Sequence, residues 1–199
     1  MKIINCEQNS PEWFKAKAGI PSASNFDCII TTDGKPSKQR TKYLYRLAGE
    51  HITEKVEETY QNAMMIRGQE LEEEARKLYQ ILTDESVKKV GFCVTDKKPI
   101  YGASPDSLVG DKGGLEIKCP IISTHVSYLL GGVLPNDYFQ QIQGNLLVTG
   151  REWWIFESYY PGMKPFIIKM ERDEKFLKAL KIELEIFCQE LDQTIKKIM

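Results

Sequence analysis

The sequence predicts an α/β fold in which a mixed β-sheet is covered by helices on both faces. Two observations carry this. Stretches with helical periodicity, at 63–82 and from Asp173 to the end, alternate with two groups of short β-rich runs, at 86–120 and 152–170. The order helices, three strands, helices, strand pair, helix then closes as one layered α/β unit. At 199 residues the chain can bury roughly 70% of the surface its unfolded form exposes.

Composition narrows the class. Hydrophobic residues make up 42% and charged residues 28%, as expected of a globular protein rather than a disordered one. No apolar run approaches the ~18 residues of a membrane helix. The N-terminal MKIINCEQNSPEWF lacks an apolar core followed by a small-residue cleavage site, so the expected compartment is the cytoplasm. The cysteines Cys6, Cys28, Cys93, Cys119 and Cys188 are odd in number and widely spaced, which argues for free thiols over disulfides or a zinc site. Net charge is −1, so any nucleic-acid surface must be a local concentration of cations.

In chain order, Ser10-Pro11-Glu12 opens a short helix through Trp13 and Lys17 that stops at Gly19. Pro21-Ser22-Ala23-Ser24 opens another. There the Ser24 hydroxyl either caps the helix or, with free amides nearby, holds a phosphate. Gly34 to Arg46 carries Lys35, Lys38, Arg40, Lys42 and Arg46 with no acid, interleaved with Tyr43 and Tyr45. It is either a solvated face or a phosphate-contacting segment.

A helix over Ala63 to Leu82 is marked by Met65, Leu71, Ala75, Leu78 and Leu82, with Glu70, Glu72, Glu73 and Glu74 along it. Most of these are surface charges, but one could point inward toward a metal, and Glu72 lies one residue from the buried Leu71. Runs at 86–96, 99–110 and 114–120 form an antiparallel meander with turns at 96–98 and 111–114. Helices follow at 123–130 and, capped by Asn136, to about Thr149, then strands at 152–160 and 164–170. The first of these strands is apolar or aromatic on both faces, as in a covered strand. In the last helix Phe176, Leu180, Leu184, Phe187, Leu191, Ile195 and Ile198 form a stripe that covers a sheet face or meets a partner.

The chemistry concentrates in SPDSLVGDKGGLEIKCP, residues 104–120. Alternation along a strand puts Glu116 and Lys118 on one face. Alone they read as a surface ion pair of little worth. A three-residue loop would fold Asp106 back opposite Lys118, on the Glu116 face, whereas two or four residues would turn it away unless Pro105 bends the strand. On a shared face, Asp106 and Glu116, with the Ile117 carbonyl, can hold a hard cation such as Mg²⁺. That cation suits phosphodiester hydrolysis, with Lys118 serving the attacking water.

These residues resemble the core of the PD-(D/E)XK nucleases, in particular the phage lambda exonuclease branch, the YqaJ-like viral recombinases. That family's W-x-x-x-R-x-G-x-x-x-A-S is matched by Trp13, Lys17, Gly19, Ala23 and Ser24. Its G-x-x-x-E is matched by Gly68 and Glu72. Asp96, Ser104-Pro105-Asp106, Leu115 to Pro120, LLGG at 129–132, Gln141-x-Gln143 and ERDEKF at 171–176 follow in order. The resemblance implies a restriction-endonuclease-like core and a single nuclease domain over 1–199. It implies Mg²⁺, two ions with Mn²⁺ able to substitute, at Asp106 and Glu116. Glu72 and Gln141 would support the site, and Ser24 with Lys17 would hold a 5′-phosphate. Where the family has arginine this chain has Lys17, and lysine cannot fork onto phosphate. The implied activity is 5′-to-3′ digestion of one strand of linear duplex DNA to mononucleotides, leaving a 3′ overhang for phage-type recombination in a bacterial cell. A homotrimeric ring is implied too, with Lys35, Lys38, Arg40 and Lys42 as candidates to line it, and an annealing recombinase as partner. The alternatives are an endonuclease built on the same core and a non-catalytic module that binds DNA ends.

Overall fold

Residues 1–56 and 63–199 are described by a computed structural model. β1 (Lys2–Ile4) precedes α1 (Pro11–Lys17), a 3-10 segment (Ala23–Cys28) and α2 (Arg40–Thr53). Then come α3 (Ala63–Thr83), β2 (Val87–Lys88), β3 (Phe92–Val94), β4 (Gly102–Ala103), β5 (Ser107–Val109) and β6 (Gly113–Lys118). α4 (Ile122–Gly131), α5 (Phe139–Thr149), β7 (Trp153–Ser158), β8 (Phe166–Glu171) and α6 (Glu174–Ile198) complete the chain. The side chain of Met65, expected in the α3 stripe, lies outside the described residues. No described helix is long and apolar enough to cross a membrane.

The expected α/β architecture is present: a five-stranded mixed sheet, order β2-β5-β6-β7-β8, with helices on both faces. Among the described residues, β6 and β7 are the one parallel strand pair of this sheet. The meander differs from expectation because each of its first two runs is broken. β3 and β4 leave the main sheet to pair with β1, a strand too short to show a sequence period, while β2 and β5 stay with β6. Pro105 lies at one break, where a missing amide N–H ends a ladder. Gly91 lies at the other, where a Cβ would come within 2.4 Å of the Ile4 carbonyl oxygen.

Gly113 and Gly114 belong to β6 rather than to the turn, which is Gly110 to Lys112. Their role is packing: a Cβ at Gly114 would sit 2.3 Å from the ring of Trp154 on the neighbouring strand.

Alternation sorts the two sheet faces. Leu115 and Ile117 pack with Val109 and Ile155 against Ala75 and Tyr79 of α3. Leu108, Trp154 and Phe156 face the larger core under α5 and α6. Glu116 and Lys118 share that second face by the two-residue period. The α6 stripe packs on α2 and α5, with Phe187 stacked on Tyr43 and Phe176 against Phe139, so it seals the helical layer. Each fully buried Leu or Phe contributes roughly 1.5–3 kcal/mol there. Ile198, assigned to the stripe, is exposed because the helix end overhangs its support.

Ser10 caps α1 as the sequence predicts, accepting the amide of Trp13, and Asp173 caps α6 by accepting that of Phe176. Asn136 does not cap; it opens a 3-10 turn preceding α5. The second helix start also differs, forming a 3-10 segment kinked at Asn25. All five cysteines are free thiols.

Candidate active site

The turn Gly110 to Lys112 is the three-residue connection, and it pairs Ser107 with Leu115. Continuing that register puts Asp106 opposite Glu116, two residues from the Lys118 expected, and still on the shared face. The ladder stops there for a covalent reason. Ile117 would next pair with Pro105, which has no N–H to give. The Asp106 carboxylate substitutes, its Oδ2 accepting the Ile117 amide at 2.6 Å. A strand residue points its N–H and C=O to the same side, so the Ile117 carbonyl also faces this gap and finds no strand donor.

Glu116 is buried and held from several directions. Lys118 Nζ and Gln141 Nε2 each donate to its Oε1 at 2.6 Å, and Asn145 Nδ2 donates to Oε2 at 3.2 Å. Gln141 and Asn145 are one turn apart on α5, so one helix face addresses both oxygens. From the α3 side, buried Arg76 grips the Asp106 segment, donating to Ser107 Oγ at 2.8 Å and reaching the Asp106 carbonyl at 3.4 Å. Asn145 and Arg76 are positioning residues that carry no local signal in the sequence, because tertiary approach recruits them.

The charges behave as a crowded group. Burial, then Glu116, raises the Asp106 carboxyl well above the usual range, with Lys118 opposing. Burial alone would pull the Lys118 ammonium down, but Glu116 and Asp106 more than offset it and the net shift is upward. Glu72 is the half-buried member of its acid cluster, and Glu70, Glu73 and Glu74 are exposed. Its carboxyl is raised by burial, with Lys118 and Arg76 opposing and Glu116 adding. No group of three or more His, Cys, Asp or Glu stands at metal-ligand spacing among the described residues. The donors that do fit a cation are mixed: the Asp106 and Glu116 carboxylates and the Ile117 carbonyl, which Pro105 cannot pair. Three protein oxygens leave room for the waters Mg²⁺ retains.

A cavity of about 920 Å³, lined by none of Asp106, Glu116, Lys118 or Glu72, has Lys17, Ser22, Ser24, Arg46, Glu50 and Gln69 in its wall. Lys17 and Ser24 are therefore brought together. Among the described residues the Ser24 hydroxyl caps no helix; it accepts from Asn25 Nδ2 at 3.2 Å and lies 3.4 Å from Ser22 Oγ. Burial pulls the Lys17 amine down to about 8, Glu50 opposing and Arg46 adding. Two links join cavity and catalytic strand. Gln69 lies three residues from Glu72 on α3, and Trp13 Nε1 donates to Ser104 Oγ at 3.0 Å.

The remaining basic residues divide. Arg40 is turned onto α6, bonded to Glu183 at 2.9 Å and Glu190 at 3.0 Å over the Phe187 ring, so its charge is neutralised within the fold. Lys35 pairs with Asp33 at 2.8 Å. Lys38 and Lys42 are exposed. Asp96 meets the terminal amine of Met1 at 3.2 Å.

Comparison with known proteins identifies the family and the fold. The family model of the YqaJ-like viral recombinase domain matches residues 12–152. The alkaline exonuclease LHK-Exo from Laribacter hongkongensis is 35% identical, with 95% of this chain and 96% of that one covered and a TM-score of 0.86. LHK-Exo in complex with dAMP gives a TM-score of 0.87 over the same coverage. A phage-related exonuclease from Haemophilus somnus 129PT shares the fold at 15% identity, covering 90% of this chain and 96% of that one, with a TM-score of 0.71. A family match over most of the chain, joined to a full-length structural match at this identity, places the chain in the YqaJ-like viral recombinase family.

Proposed function

We propose that this chain is a Mg²⁺-dependent exonuclease that digests one strand of linear double-stranded DNA from its 5′ end. It would release mononucleotides and leave a 3′ overhang for recombination by strand annealing. The observation that carries the reading is the end of the ladder at Pro105, where the Asp106 carboxylate accepts the Ile117 amide while Glu116, the next residue along, is paired with Lys118. Family membership supports a nuclease and recombination role. That LHK-Exo has been solved with dAMP, a mononucleotide, supports the product assignment.

Asp106, Glu116 and the Ile117 carbonyl would hold the Mg²⁺, with a second ion or Mn²⁺ accommodated by the same acids. When bound, the cation supplies polarisation of a phosphoryl oxygen and a water of lowered pKa. Lys118, an ammonium here, orients that water and offsets charge as it builds on phosphorus. Gln141 and Asn145 fix the Glu116 carboxylate, and Glu72 adds an acid at the rim. Water adds to phosphorus as the bond to the terminal nucleotide's O3′ breaks, and the O3′ leaves with a proton. The phosphate stays with the shortened strand. Each cut therefore regenerates a 5′-phosphate, the group suited to the cavity with Lys17 and Ser24. The trimeric ring around DNA, with Lys35, Lys38 and Lys42 toward the channel, and the annealing partner in a bacterial cytoplasm rest on the family resemblance. A chain of net charge −1 needs its cations localised in this way.

The test uses linear duplexes labelled at the 5′ end and closed circular duplexes labelled internally, with and without Mg²⁺. Labelled mononucleotide from linear duplex only, and only with Mg²⁺, is the expected result. Nicking of closed circles would favour an endonuclease. Binding of ends without nucleotide release would favour a non-catalytic module.

A further inference from the structure

Among the described residues, the lining of the cavity with Lys17 and Ser24 carries more positive charge than its own acids balance. Its lining holds Lys15, Lys17, Arg46 and Lys55 against Glu50 and Glu54. Glu50 is itself partly engaged, its Oε2 accepting the Gly19 amide at 3.3 Å. Arg46 is held at one edge and one face: its Nη2 donates to Asn25 Oδ1 at 3.1 Å, and its guanidinium lies 4.8 Å from the Tyr43 ring centroid. Its Nε is buried and makes no hydrogen bond among the described residues; Glu50 Oε1, at 3.7 Å, is an ion-pair partner but too far to accept a hydrogen bond. A planar donor fixed in place with an unmet N–H calls for an acceptor. The hydroxyls of Ser22 and Ser24 stand 3.4 Å apart in the same lining, a pair of further donors. Lys17, with its Nζ 3.8 Å from the Trp13 ring centroid, offers a point charge without a fork.

Resting on the reading of this cavity as the seat of the 5′ terminus, we propose that Arg46 is the residue that selects a terminal phosphate. Its guanidinium makes the forked contact, the serine hydroxyls close around the remaining oxygens, and Lys17 adds charge. A phosphate monoester carries ≈ −1.5 to −2 at pH 7, which meets the cation excess better than the single charge of an internal diester. Arg46 acts on selection at the end rather than at the scissile bond.

The experiment compares initial rates on linear duplexes bearing 5′-phosphate or 5′-hydroxyl on the labelled strand, for wild type, Arg46→Ala and Arg46→Lys. The wild type is expected to favour the phosphorylated end. Arg46→Ala should lower that preference by roughly tenfold or more, the size of losing charge-assisted hydrogen bonds. Arg46→Lys, with the charge but no fork, should fall between. A folded Arg46→Ala with the wild-type ratio would overturn the assignment and leave the cavity's role standing. If Arg46→Ala does not fold, an unchanged ratio in Arg46→Lys overturns it equally. A wild type that cleaves but ignores the phosphate would remove the reading beneath, and the assignment with it.

Discussion

At Lys118 two opposing effects meet, and the carboxylates prevail: burial disfavours the ammonium, while Glu116 at 2.6 Å and Asp106 hold it charged. A group in that state orients water more readily than it removes a proton. Lys118→Ala is expected to lower the cleavage rate by about 10²-fold or more. Binding of duplex ends in Ca²⁺ should persist; loss of the fold instead would make the lysine structural. Asn145 acts through Glu116, so Asn145→Ala should raise the half-saturating Mg²⁺ concentration about tenfold, in the range found when ligand-orienting partners are removed. The KM for DNA should change less. Lys17 supplies a pH prediction. Its amine is protonated below about 8 in the free protein and loses its charge above. Affinity for a 5′-phosphorylated end, relative to a hydroxyl end, should therefore weaken as pH rises past 8, by at most about tenfold per unit. Competition binding across pH reads this directly, and a flat ratio would exclude Lys17 from the contact.

At the scale of elements, strand alternation makes the Glu116 and Lys118 pairing legible, and Pro105 marks where the ladder must stop. Illegible was which loop forms, since Gly113-Gly114 reads as a turn until the Trp153 and Trp154 rings that lie on it are known. Arg40 reads as a DNA contact for a similar reason: nothing near it in sequence discloses Glu183 and Glu190. Arg76, Asn145 and the placement of Arg46 likewise arise from helix packing. β7 holds a second surprise, Glu157, fully buried among apolar neighbours with both carboxyl oxygens unpartnered among the described residues. Burial pushes its carboxyl up to about 8, Arg76 opposing. The folded state thus binds more protons than the unfolded one between the ordinary carboxylate pKa and about 8, and stability falls as pH rises through that window. Glu157→Gln should raise the Tm above pH 8 and differ little near about pH 4. A variant that melts lower than wild type at high pH would show that the ionised carboxylate has a stabilising partner.

For the whole molecule, function comes from placing two sites along shared elements. α3 carries Gln69 at the cavity and Glu72 toward the acids, and Trp13 ties the cavity wall to Ser104 just before Pro105. The proposed seat of a duplex terminus and the carboxylates proposed to act on it are thus tied through the same elements. The measurement that bears most directly on this account is anomalous diffraction from crystals of the DNA-free protein soaked in Mn²⁺. The account predicts a peak between the Asp106 and Glu116 carboxylates with the Ile117 carbonyl among its ligands, lost in Glu116→Gln. A peak elsewhere, or none at a concentration that supports cleavage, would contradict it.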